Sequence, residues 1–192
     1  MNKVWNTSEV VVGAMVSAVF GMVLMAWSSL YMPLQPVLGP VGIEVLYGLY
    51  FLPGILVMYI IRKPGFAILG GLVSAVVELL MGSPFGVVNI LLAGLIQGAA
   101  AEFIFFIFKY YRFDWLTMIF AGAFVAPVIF VRDFFVFGYG AQPASVLAGM
   151  ILIRIVSGAI LGGFMAKLLG DALARTGVLN NFALGQAFNL TK

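Results

Sequence analysis

The stretch from Glu78 to Glu102 holds side chains able to do chemistry in apolar surroundings: two carboxylates, Glu78 and Glu102, and two amides, Asn89 and Gln97. It reads ELLMGSPFGVVNILLAGLIQGAAAE, a hydrophobic segment, a Gly/Pro turn and a second hydrophobic segment. A charge taken out of water is costly unless it is paired. An ionisable residue inside a membrane segment is therefore a functional-site candidate by default. The chemistry offered is recognition: a carboxylate accepts hydrogen bonds or faces a cation, and an amide both donates and accepts.

Bond-making chemistry has little support. There is no His and no Cys, which removes the commonest general base, the usual zinc ligand and any thiolate or disulfide. No phosphate-binding G-x-x-x-x-G-K-[ST], no G-x-S-x-G and no H-E-x-x-H motif occurs. Asp114, Asp133 and Asp171 do not form a matched pair for intramembrane proteolysis. The expectation is a non-enzyme without metal or other cofactor.

The elements that must position these groups follow from composition. The 192 residues are 64% hydrophobic and 9% charged, with mean hydropathy +1.16, against about 25% charged in a soluble domain. This predicts one all-α, multi-pass membrane domain over residues 1–192. The net charge of +3 lies in short basic clusters, which suits loops facing anionic lipid rather than nucleic acid.

Six spans are predicted, at about 8–30, 43–61, 66–81, 87–108, 115–137 and 144–169. Ser8 is the expected first N-cap. Ala14, Ser17, Ala18 and Gly21 share one face of the first span, a flat strip suited to close helix approach. Met32 to Gly42 contains three prolines and no charge; it reads as an irregular loop folded over the membrane face, a candidate lid. Pro53 and Gly54 predict a kink in the second span. The tail from Gly170 is expected on the membrane surface or partly disordered.

Lysine and arginine fall near the N-terminus (Lys3), at 62–65, at 109–114 and in the tail, whereas the connections 31–42, 82–86 and 138–143 carry none. The positive-inside rule then puts both termini in the cytoplasm and the uncharged loops outside. Counted at about 1.5 Å per residue, Glu44, Glu78, Asn89, Arg132 and Asp133 lie near the outer surface. Gln97 and Arg154 lie near the middle, and Glu102 deeper. Aromatic residues Trp27, Tyr31, Tyr47, Tyr50, Phe85, Phe134, Phe137 and Tyr139 share the outer level. This predicts an outward-opening pocket. The plain structural alternative is an interfacial aromatic belt, with Arg154 bridged to Glu102 or Asp133.

Three features together carry a family resemblance: Glu78-Leu79-Leu80-x-Gly82-Ser83-Pro84-x-Gly86, Gln97-Gly98-x-x-x-Glu102 and Ala174-Arg175-Thr176-Gly177-Val178-Leu179. With Ala14-Met15-Val16-Ser17-Ala18, the chain resembles the S components of energy-coupling factor (ECF) transporters, of the YkoE type. The resemblance covers essentially the whole chain. It implies a substrate-binding subunit in the bacterial plasma membrane that captures thiamine, or its hydroxymethylpyrimidine precursor, from outside. It also implies a transmembrane T component, docked through Ala14 and Ala18, and two ATPase subunits or domains.

Under that resemblance Glu78 and Glu44 would neutralise the thiazolium or bond the pyrimidine, and Gln97 and Asn89 would read the ring edge. Tyr47, Trp27 and Phe85 would stack on the rings, and Arg132 completes the candidate set. Alternatives are an S component for another vitamin, a non-transporting membrane scaffold, and a small proton-coupled carrier using Glu102.

Overall fold

The computed structural model describes residues 4–189, so Lys3 of the charge count lies outside the described residues. Helix α1 spans Thr7–Gly42. Its N-cap is Asn6, two residues before the expected Ser8; the Asn6 amide donates to Glu9 Oε2 at 3.0 Å. Lys63 Nζ meets the same carboxylate at 2.7 Å, and Trp5 Nε1 donates to the Pro64 carbonyl at 2.9 Å. The N-terminal segment is thus tied to the turn before α3 (Phe66–Leu80).

The expected loop over Met32 to Gly42 is a correction, because most of it is helix. Pro33 and Pro36 lie inside α1. Each leaves a carbonyl without its i+4 donor, at Ser29 and Met32, but both residues are exposed and the proline φ suits a helix. The break comes at Gly39, with φ 68° and ψ 176°. The following Pro40 disfavours the α conformation at position 39, and glycine tolerates the positive φ.

A 3₁₀ helix, Ile43–Phe51, follows and hands over to α2, Leu52–Ile61. Nine residues is long for this tighter helix. It lets the Gly48 backbone press on another helix, where a Cβ would stand 2.2 Å from the Ser157 carbonyl oxygen. Pro53 sits in the first turn of α2, so the expected kink is a change of helix type. Every residue of α2 is buried, which explains why it has no polar side chain except the Tyr59 hydroxyl.

Helix α3 has 15 residues, about 22 Å, shorter than a hydrocarbon core of about 30 Å. Helix α4 spans Val87–Ile107 and packs on α3 through glycine: a Cβ on Gly71 would lie 2.5 Å from the Gly94 carbonyl oxygen. Glu102 of α4 accepts the Gly65 and Ala67 amides at 2.7 and 3.0 Å, capping α3. Helix α5 spans Trp115–Val136; the Thr117 hydroxyl in its first turn, bonded to the Asp114 carboxylate just before the helix, holds that carboxyl below its ordinary range.

The last long rod comprises α6 (Ala144–Ser157), a π-helical segment (Gly158–Phe164) and α7 (Met165–Arg175). It runs past the expected end at residue 169. Of the two expectations for the tail, partial disorder is corrected through Asn189: α8 (Ala183–Asn189) folds back, with Leu179 and Leu184 buried in the core beside α2 and α7. Lys167, Asp171 and Tyr59 form a polar cluster there, with Lys167 Nζ 3.1 Å from Asp171 Oδ2 and 2.6 Å from the Tyr59 hydroxyl.

Among the described residues, four helical runs are long and apolar enough to cross a membrane, the first being Thr7–Ile61. That run is 55 residues long, about 80 Å if straight. It folds back, so that the 3₁₀ helix and α2 pack against α1. With α3, the bundle has six helical legs.

Candidate ligand cavity

One end of the bundle holds a cavity of about 390 Å³, walled by the last turns of α1, the 3₁₀ helix, α3, α4 and the end of α5. Glycine makes the room: Gly71 and Gly94 lie in the wall where α3 and α4 touch. Seven of the eight sequence-selected residues line it: Glu44, Tyr47, Glu78, Phe85, Asn89, Gln97 and Arg132. Trp27 does not, and this is a correction. Tyr31, one turn further along α1, takes the wall position, and Trp27 backs it edge-on with ring centroids 6.3 Å apart.

The charges divide into a paired set and a single one. Arg154 grips Glu44 through two bonds, Nε to Oε2 at 2.5 Å and Nη2 to Oε1 at 2.6 Å. Its Nη1 donates to Asp133 Oδ2 at 2.7 Å, and its guanidinium lies 3.7 Å from the centre of the Tyr47 ring. The Tyr47 hydroxyl donates to the same Asp133 oxygen at 2.6 Å. Arg132 Nη1 holds Asp133 Oδ1 at 2.6 Å, and its Nη2 donates to the Asn89 carbonyl at 2.9 Å. The side chains of Glu44, Asp133 and Arg154 are fully buried. Such a bidentate, hydrogen-bonded network offsets the desolvation cost of buried ions. Arg154 therefore bridges Glu44 and Asp133, and Glu102, the other partner considered for it, caps α3 instead.

Glu78 stands apart. Its Oε1 accepts hydroxyl bonds from Ser28 at 2.6 Å and Ser83 at 3.0 Å, and Ser28 also contacts the Tyr50 hydroxyl at 2.8 Å. No cation pairs with it among the described residues. It is 4% exposed, so it is a nearly buried carboxylate satisfied by neutral donors only. Around it the wall is aromatic: Tyr31 and Phe85 meet edge-on at 5.7 Å, and Tyr47 and Tyr50 lie 5.4 Å apart. The arrangement can grip a flat, positively charged molecule with one carboxylate and several ring faces.

The chain matches the family model described as "ABC-type cobalt transport system, permease component" over residues 8–128. A putative HMP/thiamine permease protein, YkoE, of Bacillus subtilis (strain 168) is 36% identical over 184 residues, 96% of this chain and 92% of that one. A solved structure described as an S-component of an ECF transporter superimposes with TM-score 0.95 at 34% identity, covering 98% of this chain and 95% of that one. The chain belongs to the YkoE-type S components of ECF transporters. As an S component it is a membrane transporter subunit and not an enzyme.

Membership gives the two ends of this S component different tasks to be read for. The polar wall residues gather at the end carrying the uncharged connections, which include Phe85, Gly138 and Gln142 of the cavity lining. Gln35 and Gln142 are wall residues the sequence reading passed over; each is a lone amide in an uncharged connection, which was the available signal. Ser28 gave no comparable signal. On the outside of α1, Ala14 and Ala18 are half-buried, whereas Ser17 and Gly21 of the same strip are buried inside the subunit. A Cβ on Gly21 would lie 2.7 Å from the Ser74 carbonyl oxygen of α3.

Proposed function

We propose that this S component is the thiamine-binding subunit of an ATP-driven vitamin uptake transporter. The observation that carries the reading is Glu78, a buried carboxylate at the cavity wall whose partners are hydroxyls and not cations. Thiamine brings a fixed thiazolium cation to complement it and an aminopyrimidine to lie against the rings. Glu44, given the same task on sequence grounds, is already held by Arg154; Glu78 therefore takes the cation alone. Gln97, with no protein partner among its described hydrogen bonds, and Asn89 read the pyrimidine edge. That the relative is named as an HMP/thiamine permease supports the same ligand class.

In this reading both termini are cytoplasmic and the cavity opens outward. The Met32–Leu38 turns of α1 form the rim over it, with Gly39 as the flexible joint; Met32, Gln35 and Pro40 line the cavity. Ala14 and Ala18 dock on a T component, and two ATPase subunits or domains drive delivery. Metal cargo, which the family description mentions, is less well served, because Glu44 and Asp133 are tied to guanidiniums.

Calorimetric titration of the purified protein with thiamine, hydroxymethylpyrimidine and Co²⁺ tests this. Saturable thiamine binding at one site is expected. Tighter binding of hydroxymethylpyrimidine would move the assignment to the precursor, and binding of neither would favour the scaffold alternative.

A further inference from the structure

The charges at the cavity have a net sign. Glu44 and Glu78 line the wall and Asp133 lies directly behind it, against two guanidiniums, Arg132 and Arg154. Each nitrogen of Arg154 bonds a carboxylate, Nε and Nη2 to Glu44 and Nη1 to Asp133, so its charge is spent on that pair. Arg132 gives Nη1 to Asp133 and Nη2 to the Asn89 carbonyl, and its buried Nε–H has no protein partner. Counted with every carboxylate ionised, Glu78 is the one without a guanidinium partner, and the formal charge of the site is minus one.

An anion entering here faces a like charge; beyond the buried Arg132 Nε–H, it can gain a guanidinium's charge only by drawing one off Asp133 or Glu44. That leaves a buried carboxylate without its partner, which is strongly unfavourable. A phosphate monoester carries about −1.5 to −2 at neutral pH. A free hydroxyl makes no such demand, since it both donates and accepts.

We propose that this cavity rejects phosphate esters and admits only the free alcohol, with Glu78 as the residue that sets the rejection. The inference rests on the ligand being thiamine or hydroxymethylpyrimidine, each of which carries one primary hydroxyl where a phosphate would sit. Nutrient that reaches the protein as a phosphate ester must then be hydrolysed before capture: water adds at phosphorus and the alcohol leaves.

The test is titration of the purified full chain with thiamine and with thiamine monophosphate, in parallel with hydroxymethylpyrimidine and its phosphate. Like-charge juxtaposition predicts an ester at least about 100-fold weaker than its alcohol. Glu78→Gln should narrow that ratio to below about 10-fold, by weakening thiamine and improving the ester, while Glu78→Asp keeps it. Wild-type protein binding ester and alcohol within about threefold overturns the inference while leaving the thiamine reading intact. An unchanged ratio in Glu78→Gln, or a lost one in Glu78→Asp, removes Glu78 from the role. Failure to bind either alcohol brings down the functional reading and this inference together.

Discussion

Ser28 Oγ donates to Glu78 Oε1 at 2.6 Å, joining α1 to the end of α3 across fifty positions of chain. The bond matters because of what is missing beside it: the neighbouring guanidiniums belong to Asp133 and Glu44. Hydroxyls stabilise a buried carboxylate only partly, so a ligand cation gains here what Arg154 gains at Glu44.

Glu78→Gln keeps the size and an acceptor for Ser28 but removes the charge. Thiamine affinity should fall by about 10–100-fold, the worth of one hydrogen bond to a charged group. Apo stability should stay level or rise, because an unpaired buried charge has gone. Titration and thermal unfolding in the same detergent read both; unchanged affinity would remove Glu78 from the site.

The paired charges behave in the opposite way. Arg154→Met leaves Glu44 without the guanidinium that holds it and should destabilise by about 3–5 kcal/mol. Adding Glu44→Gln to it should recover part of that loss, since the orphaned carboxylate is then neutral while Arg132 still holds Asp133. Urea or thermal unfolding of the two variants decides; equal stability of single and double variants would mean that Glu44 is not the source of the cost.

Much of this arrangement could be read along the chain. Glu78, Asn89 and Gln97 sit close together in sequence on two adjoining helices, so their shared wall follows from one tight turn. The Arg154 bridge could not be ranked the same way: Glu44 is 110 positions away, and only packing chose it and Asp133 over Glu102. Met32 to Leu38 departs from the expected loop because two prolines at the exposed end of a helix free carbonyls that need not be buried. The wall position expected of Trp27 belongs to Tyr31, since helical phase at that depth is set by which turn meets the 3₁₀ helix. The tail, expected on the membrane surface or partly disordered, packs Leu179 and Leu184 into the core that includes α2, with Phe182 against it.

Glycine positions give a graded test of the packing. A Cβ on Gly48 meets the Ser157 backbone at 2.2 Å, whereas one on Gly13 meets side chains alone, Val57 at 3.2 Å, Leu69 at 3.4 Å and Phe66 at 3.5 Å. Gly48→Ala should therefore cost about 1–3 kcal/mol, in the range of overpacking. It should also weaken ligand binding, because the 3₁₀ helix carries Glu44, Tyr47 and Tyr50 to the wall. Gly13→Ala should be close to neutral, with helix propensity gained against slight crowding. Unfolding midpoints in the reverse order would show that the close contact at Gly48 is not tight in solution.

Glu102 separates a capture subunit from a proton-coupled carrier. Here it accepts two α3 amides, Gly65 and Ala67, so Glu102→Ala should lower stability by about 0.5–2 kcal/mol, as for loss of a helix cap. Thiamine affinity should stay within about twofold of wild type, because the group lies outside the cavity lining. Proteoliposome uptake driven by a pH gradient, without any ATPase and abolished by Glu102→Gln, would instead favour the carrier.

The outer face of α1 is testable apart from the site. Ala14 and Ala18 stand half-buried beside exposed Val11, Met15, Val19 and Met22. Small residues let a neighbouring helix come close, and a bulky side chain there forces the backbones apart. Ala14→Trp and Ala18→Trp should leave thiamine titration of the isolated protein within about twofold, since neither residue lines the cavity. The same variants should lose ATP-dependent uptake in cells that supply the T component and ATPases, and should fail to co-purify with them. Uptake at wild-type rate in both variants would place the partner on another helix.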